Sequence, residues 1–184
     1  MIRTSLLIPA SACLLLTACS GTMPRPDTMS APSPVADAIK VPDGHRLAMQ
    51  TVGVGELRYE CRAKANTTDQ FEWAFVGPTA TLQDRGGKAV GKYYGPPATW
   101  ESMDGSKVTA TQVAVAPGGD GNIPHQLVKA NPAVGSGMMS GVTYIQRVAT
   151  QGGVAPAATC SAANRGAMQM IRYQADYLFW KAAA

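Results

Sequence analysis

Leu57-Arg58-Tyr59-Glu60-Cys61-Arg62 alternates strictly between apolar and charged residues. Successive side chains of an extended strand leave opposite faces, so Leu57, Tyr59 and Cys61 fall on one side and the charges on the other. A helix would scatter these six residues around its circumference. The same period of two recurs downstream. Phe71, Trp73 and Phe75 share a face of the next segment, and further segments follow at 89–94, 107–116, 126–130, 141–149 and 171–181. In the last of these, Tyr173, Ala175, Tyr177 and Phe179 oppose Arg172, Gln174 and Asp176. Turn formers separate the segments, among them Asp84-Arg85-Gly86-Gly87, Tyr94-Gly95-Pro96-Pro97 and Ala116-Pro117-Gly118-Gly119. Asp104-Gly105 reads as a tight hairpin turn. Only 161–170 has room for a turn or two of helix. Short strands at this spacing predict a single all-β domain over 41–184, a β-sandwich or barrel-like sheet with at most one short helix.

Upstream of this region the composition changes twice. Arg3, an apolar run over 6–16 and then Leu16-Thr17-Ala18-Cys19 have the order of a bacterial lipoprotein signal, in which Cys19 is acylated and becomes the mature N-terminus. The run is about 11 residues, against the ~20 that span a bilayer, so 1–18 reads as a cleaved signal peptide and not as a membrane helix. Residues 19–40 follow as a lipidated cysteine and a tether rich in Pro, Ser and Ala, without an apolar period. Ser20 is not the aspartate that retains lipoproteins in many inner membranes. The address is therefore the cell envelope, lipid-anchored, at the outer membrane of a two-membrane host, facing the periplasm or the cell surface.

Of four cysteines, Cys13 lies in the signal and Cys19 carries the lipid, which leaves Cys61 and Cys160. An even pair in an oxidising compartment, outside any CxxC and without a histidine-ligand motif, is expected to form a disulfide; a redox pair and metal thiolates are the alternatives. Net charge is +4, spread over separate small groups such as Arg85/Lys88/Lys92, and no basic run suggests a nucleic-acid groove.

A longer series of phrases carries a resemblance. Val41-Pro42-Asp43-Gly44-His45-Arg46 precedes Gly53-Val54-Gly55, Tyr59-Glu60-Cys61 and Glu72-Trp73-Ala74-Phe75. Tyr94-Gly95-Pro96, Thr99-Trp100-Glu101, Gly141-Val142-Thr143-Tyr144-Ile145-Gln146-Arg147 and Tyr173-Gln174-Ala175-Asp176-Tyr177 follow in order. This series resembles the secreted domain-of-unknown-function family 3455 of bacteria and filamentous fungi, from about Val41 to Trp180. The resemblance implies secretion and a shared fold, and it implies no activity. Family members commonly place a tryptophan after Ile-Pro, where this chain has Ile123-Pro124-His125.

Candidate chemistry centres on Tyr93, Tyr94, Trp100, Glu101 and Asp104. Aromatic rings stack on sugar faces, and paired carboxylates hold hydroxyls or move protons in glycoside cleavage. The alternative is a hairpin with Trp100 packed in the core and Glu101 and Asp104 solvated. His45 and His125 form no zinc spacing, so no metal or other cofactor is expected; a catalytic His45 beside Asp43 is a minor alternative. Met138-Met139 and Met168-x-Met170 could present thioethers to Cu(I), although methionine more often fills cores. Gly53-Val54-Gly55, Gly118-Gly119-Asp120-Gly121-Asn122 and Gly135-Ser136-Gly137 lack the companions of nucleotide or calcium loops and read as turns. Tyr144 and Gln146 share one strand face and Arg147 takes the other, forming a polar network, a pocket wall or a binding surface. The functional expectation is a non-enzymatic domain, anchored to a membrane by its lipid, that binds an envelope ligand or protein partner through Tyr93, Tyr94, Trp100 and Glu101. The alternative is a glycan- or wall-polymer-directed hydrolase using Glu101 and Asp104.

Overall fold

The computed structural model describes residues 35–183. The expected signal peptide, Cys13, Cys19 and the tether up to residue 34 lie outside the described residues. Eight antiparallel strands form a closed barrel in which each pairs with its neighbours in chain order and the last pairs with the first. They are β1 (His45–Ala63), β2 (Phe71–Gln83), β3 (Ala89–Tyr94), β4 (Thr99–Ser102), β5 (Lys107–Ala116), β6 (His125–Ala130), β7 (Val142–Gly152) and β8 (Met168–Ala182). The all-β expectation holds, and of its two forms the barrel is the one adopted. Closure pairs every strand on both sides over part of its length, so no strand stands wholly at a sheet edge.

Seven strands match the alternating segments: β3 and β5 coincide with 89–94 and 107–116, and β1 and β2 run well beyond theirs. The eighth, β4, is only four residues long. The helix expected within 161–170 shrinks to a 3-10 turn at Ala162–Asn164, because Met168 already starts β8. A second 3-10 turn, Asp37–Ile39, lies in what composition assigned to the tether.

Inward-facing residues form one core containing Leu57, Tyr93, Trp100, Ile145, Tyr177 and Phe179, with Met139 plugged in from the β6–β7 loop. Asp104 and Ser106 hold that loop. The Asp104 carboxylate accepts from the Met138 amide (2.7 Å), and the Ser106 hydroxyl accepts from the Met139 amide (3.1 Å). The Gly53-Val54-Gly55 phrase is not a turn; it lies inside β1. A Cβ on Gly53 would meet the Tyr177 ring at 2.5 Å, and one on Gly55 would meet the Thr79 carbonyl at 2.2 Å. These glycines let β1 approach its neighbours more closely than any side chain permits.

A second apolar cluster sits outside the barrel. Ile39 is fully buried there against Ala116, Leu127, Val148 and Leu178, with Val35 and Val41 packed beside it. The Gln146 amide, also buried, donates to the Ile39 carbonyl (2.7 Å) and accepts from the Trp180 indole (2.8 Å). Residues from Val35 to Val41, which composition assigned largely to the tether, therefore pack against the barrel. They form a strap over the outer face of β5–β8, and a short stretch can bury three apolar residues without any period that composition would reveal.

Candidate functional site

Strand pairing decides what the candidate residues can do together. Tyr93 pairs with Trp100, Lys92 with Glu101 and Tyr94 with Thr99 across β3 and β4. Because consecutive residues alternate, Tyr93 and Trp100 point into the barrel while Tyr94 and Glu101 point out. The five residues expected to cluster do not form one site. Trp100 is 2% exposed and stacks on Tyr93 at 4.6 Å between ring centroids, with Tyr177 tilted against Tyr93 and edge-on to Trp100. Both rings are core, so neither presents a face to an external ligand.

On the outside, Tyr94 donates to Glu101 (2.7 Å), and Lys92 reaches the other carboxylate oxygen at 3.2 Å and lies 5.4 Å from the Tyr94 ring centroid. The Tyr94 hydroxyl, and after it Lys92, hold the Glu101 carboxyl below its ordinary range. Asp104 accepts from the Ser106 hydroxyl (2.6 Å) and amide (2.9 Å) as well as from Met138. These bonds, the Ser106 hydroxyl first, lower its pKa to about 2. A glycosidase acid needs a raised pKa, and both carboxyls here move the other way.

The concave surface on this side is a groove of about 800 Å³. Residues of five strands wall it, chiefly Glu56, Thr81, Lys92, Gln151, Arg172 and Gln174, with Gly55 among them. It adjoins the Tyr94–Glu101 pair through Lys92. Sequence reasoning missed it, since its walls come from β1, β2, β3, β7 and β8 and only the barrel's closure brings them together.

The remaining candidates separate. His45 donates from Nδ1 to the Pro42 carbonyl (2.9 Å), and its contact with Asp43 is to the backbone oxygen, so the two do not form an acid–base pair. Its ring meets Tyr144 edge-on at 5.0 Å. Burial, and then the charge of Arg147, depress the His125 pKa. Met139 is core, whereas Met138, Met168 and Met170 are exposed. Tyr144 and Gln146 face outward, and Gln146 belongs to the polar network under the strap. Arg147 faces inward opposite Tyr177.

Cys61 and Cys160 are bonded, with Cα atoms 5.5 Å apart. The bond ties the end of β1 to the β7–β8 loop. Around it Asn164 accepts from the Ser161 amide (2.7 Å) and donates to the Thr159 carbonyl (2.8 Å), while the Cys61 amide donates to Ala167.

Fold and surface together define a class: a disulfide-stapled, up-and-down barrel of eight antiparallel strands with an apolar core and, outside, a groove whose walls carry charged and amide side chains. A family model described as protein of unknown function (DUF3455) matches residues 42–181, and the chain belongs to that family. No curated protein and no solved structure matches it. Among the described residues no helix is long and apolar enough to cross a membrane.

Proposed function

We propose that this domain is a non-enzymatic binding module of the cell envelope, tethered through a lipid on Cys19 and directed at a polar glycan of that compartment. The outer groove carries the reading. Its walls offer two cations, a carboxylate, two amides and threonine hydroxyls, the donors and acceptors that a hydroxyl-rich polymer satisfies. The groove is open and its lining comes from five neighbouring strands, which suits a chain lying across them. Glu101 and Asp104 support binding over hydrolysis, since each is held ionised by structural hydrogen bonds and neither is poised to donate a proton.

Co-sedimentation of the purified domain with isolated peptidoglycan sacculi tests this. The wild type is expected to pellet with the sacculi and release no soluble fragments. Lys92→Gln with Arg172→Gln should leave most of the domain in the supernatant. Failure of the wild type to pellet overturns the glycan reading. Release of fragments that Glu101→Gln abolishes would establish the hydrolase in its place.

A further inference from the structure

The barrel wall has a lateral opening. β3 pairs with β2 only along Thr79–Gln83, and β4 pairs with β5 only along Lys107–Thr109. The short β3–β4 hairpin thus covers half the barrel's height. Below it, residues 71–78 of β2 have ladder partners only on β1, and residues 110–116 of β5 only on β6.

Residues that point inward yet meet solvent mark the gap. Phe75 pairs with Tyr59, shares its inward face and sits 5.8 Å from its ring, yet Phe75 is 51% exposed. Gln112 pairs with core Val128 and is exposed too. It accepts from the Gln126 amide at 2.5 Å.

Behind the opening lies Arg147. Its Cα partners are Tyr177 on β8 and Gln126 on β6, so its side chain enters the barrel from the wall facing the gap. Nε and Nη2 both donate to the Pro124 carbonyl, at 3.2 and 2.9 Å, which orients the guanidinium and leaves Nη1 free of those bonds. Among the described residues the ion pairs are Lys40–Asp37 and Lys92–Glu101, so no carboxylate neutralises Arg147. Its charge is felt by Tyr59, Tyr93, Tyr173 and Tyr177, where it opposes the upward shift that burial imposes on each phenol. In the same interior the Trp100 indole N–H is buried without a partner.

The guanidinium stands half-exposed at the opening with no carboxylate of the described residues beside it, where it can pair with an anion that enters from solvent. We infer that the lateral opening admits a small ring-bearing organic anion, a carboxylate or sulfonate, whose acid group meets Arg147 beside Gln112 and Gln126 and whose ring packs on Phe75. This site faces the barrel interior through the β2–β5 gap and is separate from the outer groove.

Anilinonaphthalene sulfonate, a fluorescent ring-bearing anion, and its uncharged analogue phenylnaphthylamine test the inference by titration of the folded domain. The anion should bind saturably at one site. Arg147→Gln should weaken it by roughly tenfold or more, the loss expected for one charge-assisted contact, while the uncharged analogue is unaffected. Arg147→Lys should restore part of the affinity, and Phe75→Ser should weaken both probes. Should Arg147→Gln lose its near-ultraviolet circular dichroism, Gln112→Glu replaces it: a new carboxylate at the opening should weaken the anion alone. Absence of saturable binding to the wild type, or equal affinity in the folded charge variants, overturns the site. Lys92→Gln, in the outer groove, should leave anion binding unchanged, so failure of one site is distinguishable from failure of the other.

Discussion

Replacing both Cys61 and Cys160 by alanine should remove most of the domain's thermal margin and leave its topology intact. The two residues are 99 apart in sequence. For a loop that long, the chain-entropy relation assigns the bond about 4.7 kcal/mol at 25 °C through its restriction of the unfolded chain. The folded state loses little by the exchange. β1 and β8 stay zipped from His45 to Glu60, and the Cys61 amide and carbonyl keep their bonds to Ala167 and Gly166. Burial of Cys61 adds a small cavity contribution when the sulfur is removed. Since each 1 kcal/mol moves the midpoint of a domain near 150 residues by roughly 2–4 °C, the melting temperature should fall by about 10–20 °C. Far-ultraviolet circular dichroism should retain its β signature below the transition. The assay is paired thermal and urea unfolding of wild type and double variant, each with and without reductant, and reductant should bring the wild type to the variant. A fall under about 3 °C would show that the unfolded chain gains no freedom when the bond is cut, refuting the entropic account.

Two further outcomes follow from the packing and the carboxylates. Ile39→Ala removes a fully buried side chain from the cluster beneath the strap and should cost about 2–4 kcal/mol, read from the urea midpoint; a change below about 0.5 kcal/mol would mean the strap contributes nothing. The Asp104 carboxyl carbon should titrate by NMR with a midpoint near pH 2, about two units below an unperturbed aspartate. Its folded pKa is the lower one, so its stabilising contribution is complete above about pH 4 and disappears as the pH falls toward 2; a midpoint near 4 would show that the contacts with Ser106 and Met138 are not made in solution.

Much of the sheet is legible in the chain because half-buried strands announce themselves by alternation. Residues 57–62 and 171–181 each carry an inward apolar row and an outward polar row, and they lie in the two strands that close the barrel. β4 is silent for a physical reason: four residues between a proline-rich turn and Asp104-Gly105 hold too few alternations to register. The grouping of Tyr93 with Tyr94, and of Trp100 with Glu101, fails on the same period that located the strands, since adjacent positions in a strand never share a face. The pairing of Cys61 with Cys160 follows from counting, but its partner contacts at Asn164 and Ser161 do not. Gln146 and Arg147 show the limit of the method. Alternation separates them, yet only the buried strap tells which one faces the core, because it makes the outward face greasy. The outer groove and the opening beside Phe75 depend on strand ends and closure, which no local pattern records.

The strap has a mechanical consequence. A pull arriving from residues before Val35 meets Ile39 and its bond to Gln146 before it reaches the first strand. Load is thereby spread into the β5–β8 side of the body instead of peeling β1 away from its neighbours. If the N-terminus is held at a surface, this knot also sets the point from which the body swings. The body is then held from Val35 and not from Val41, and the groove's headings relative to that surface are correspondingly fewer.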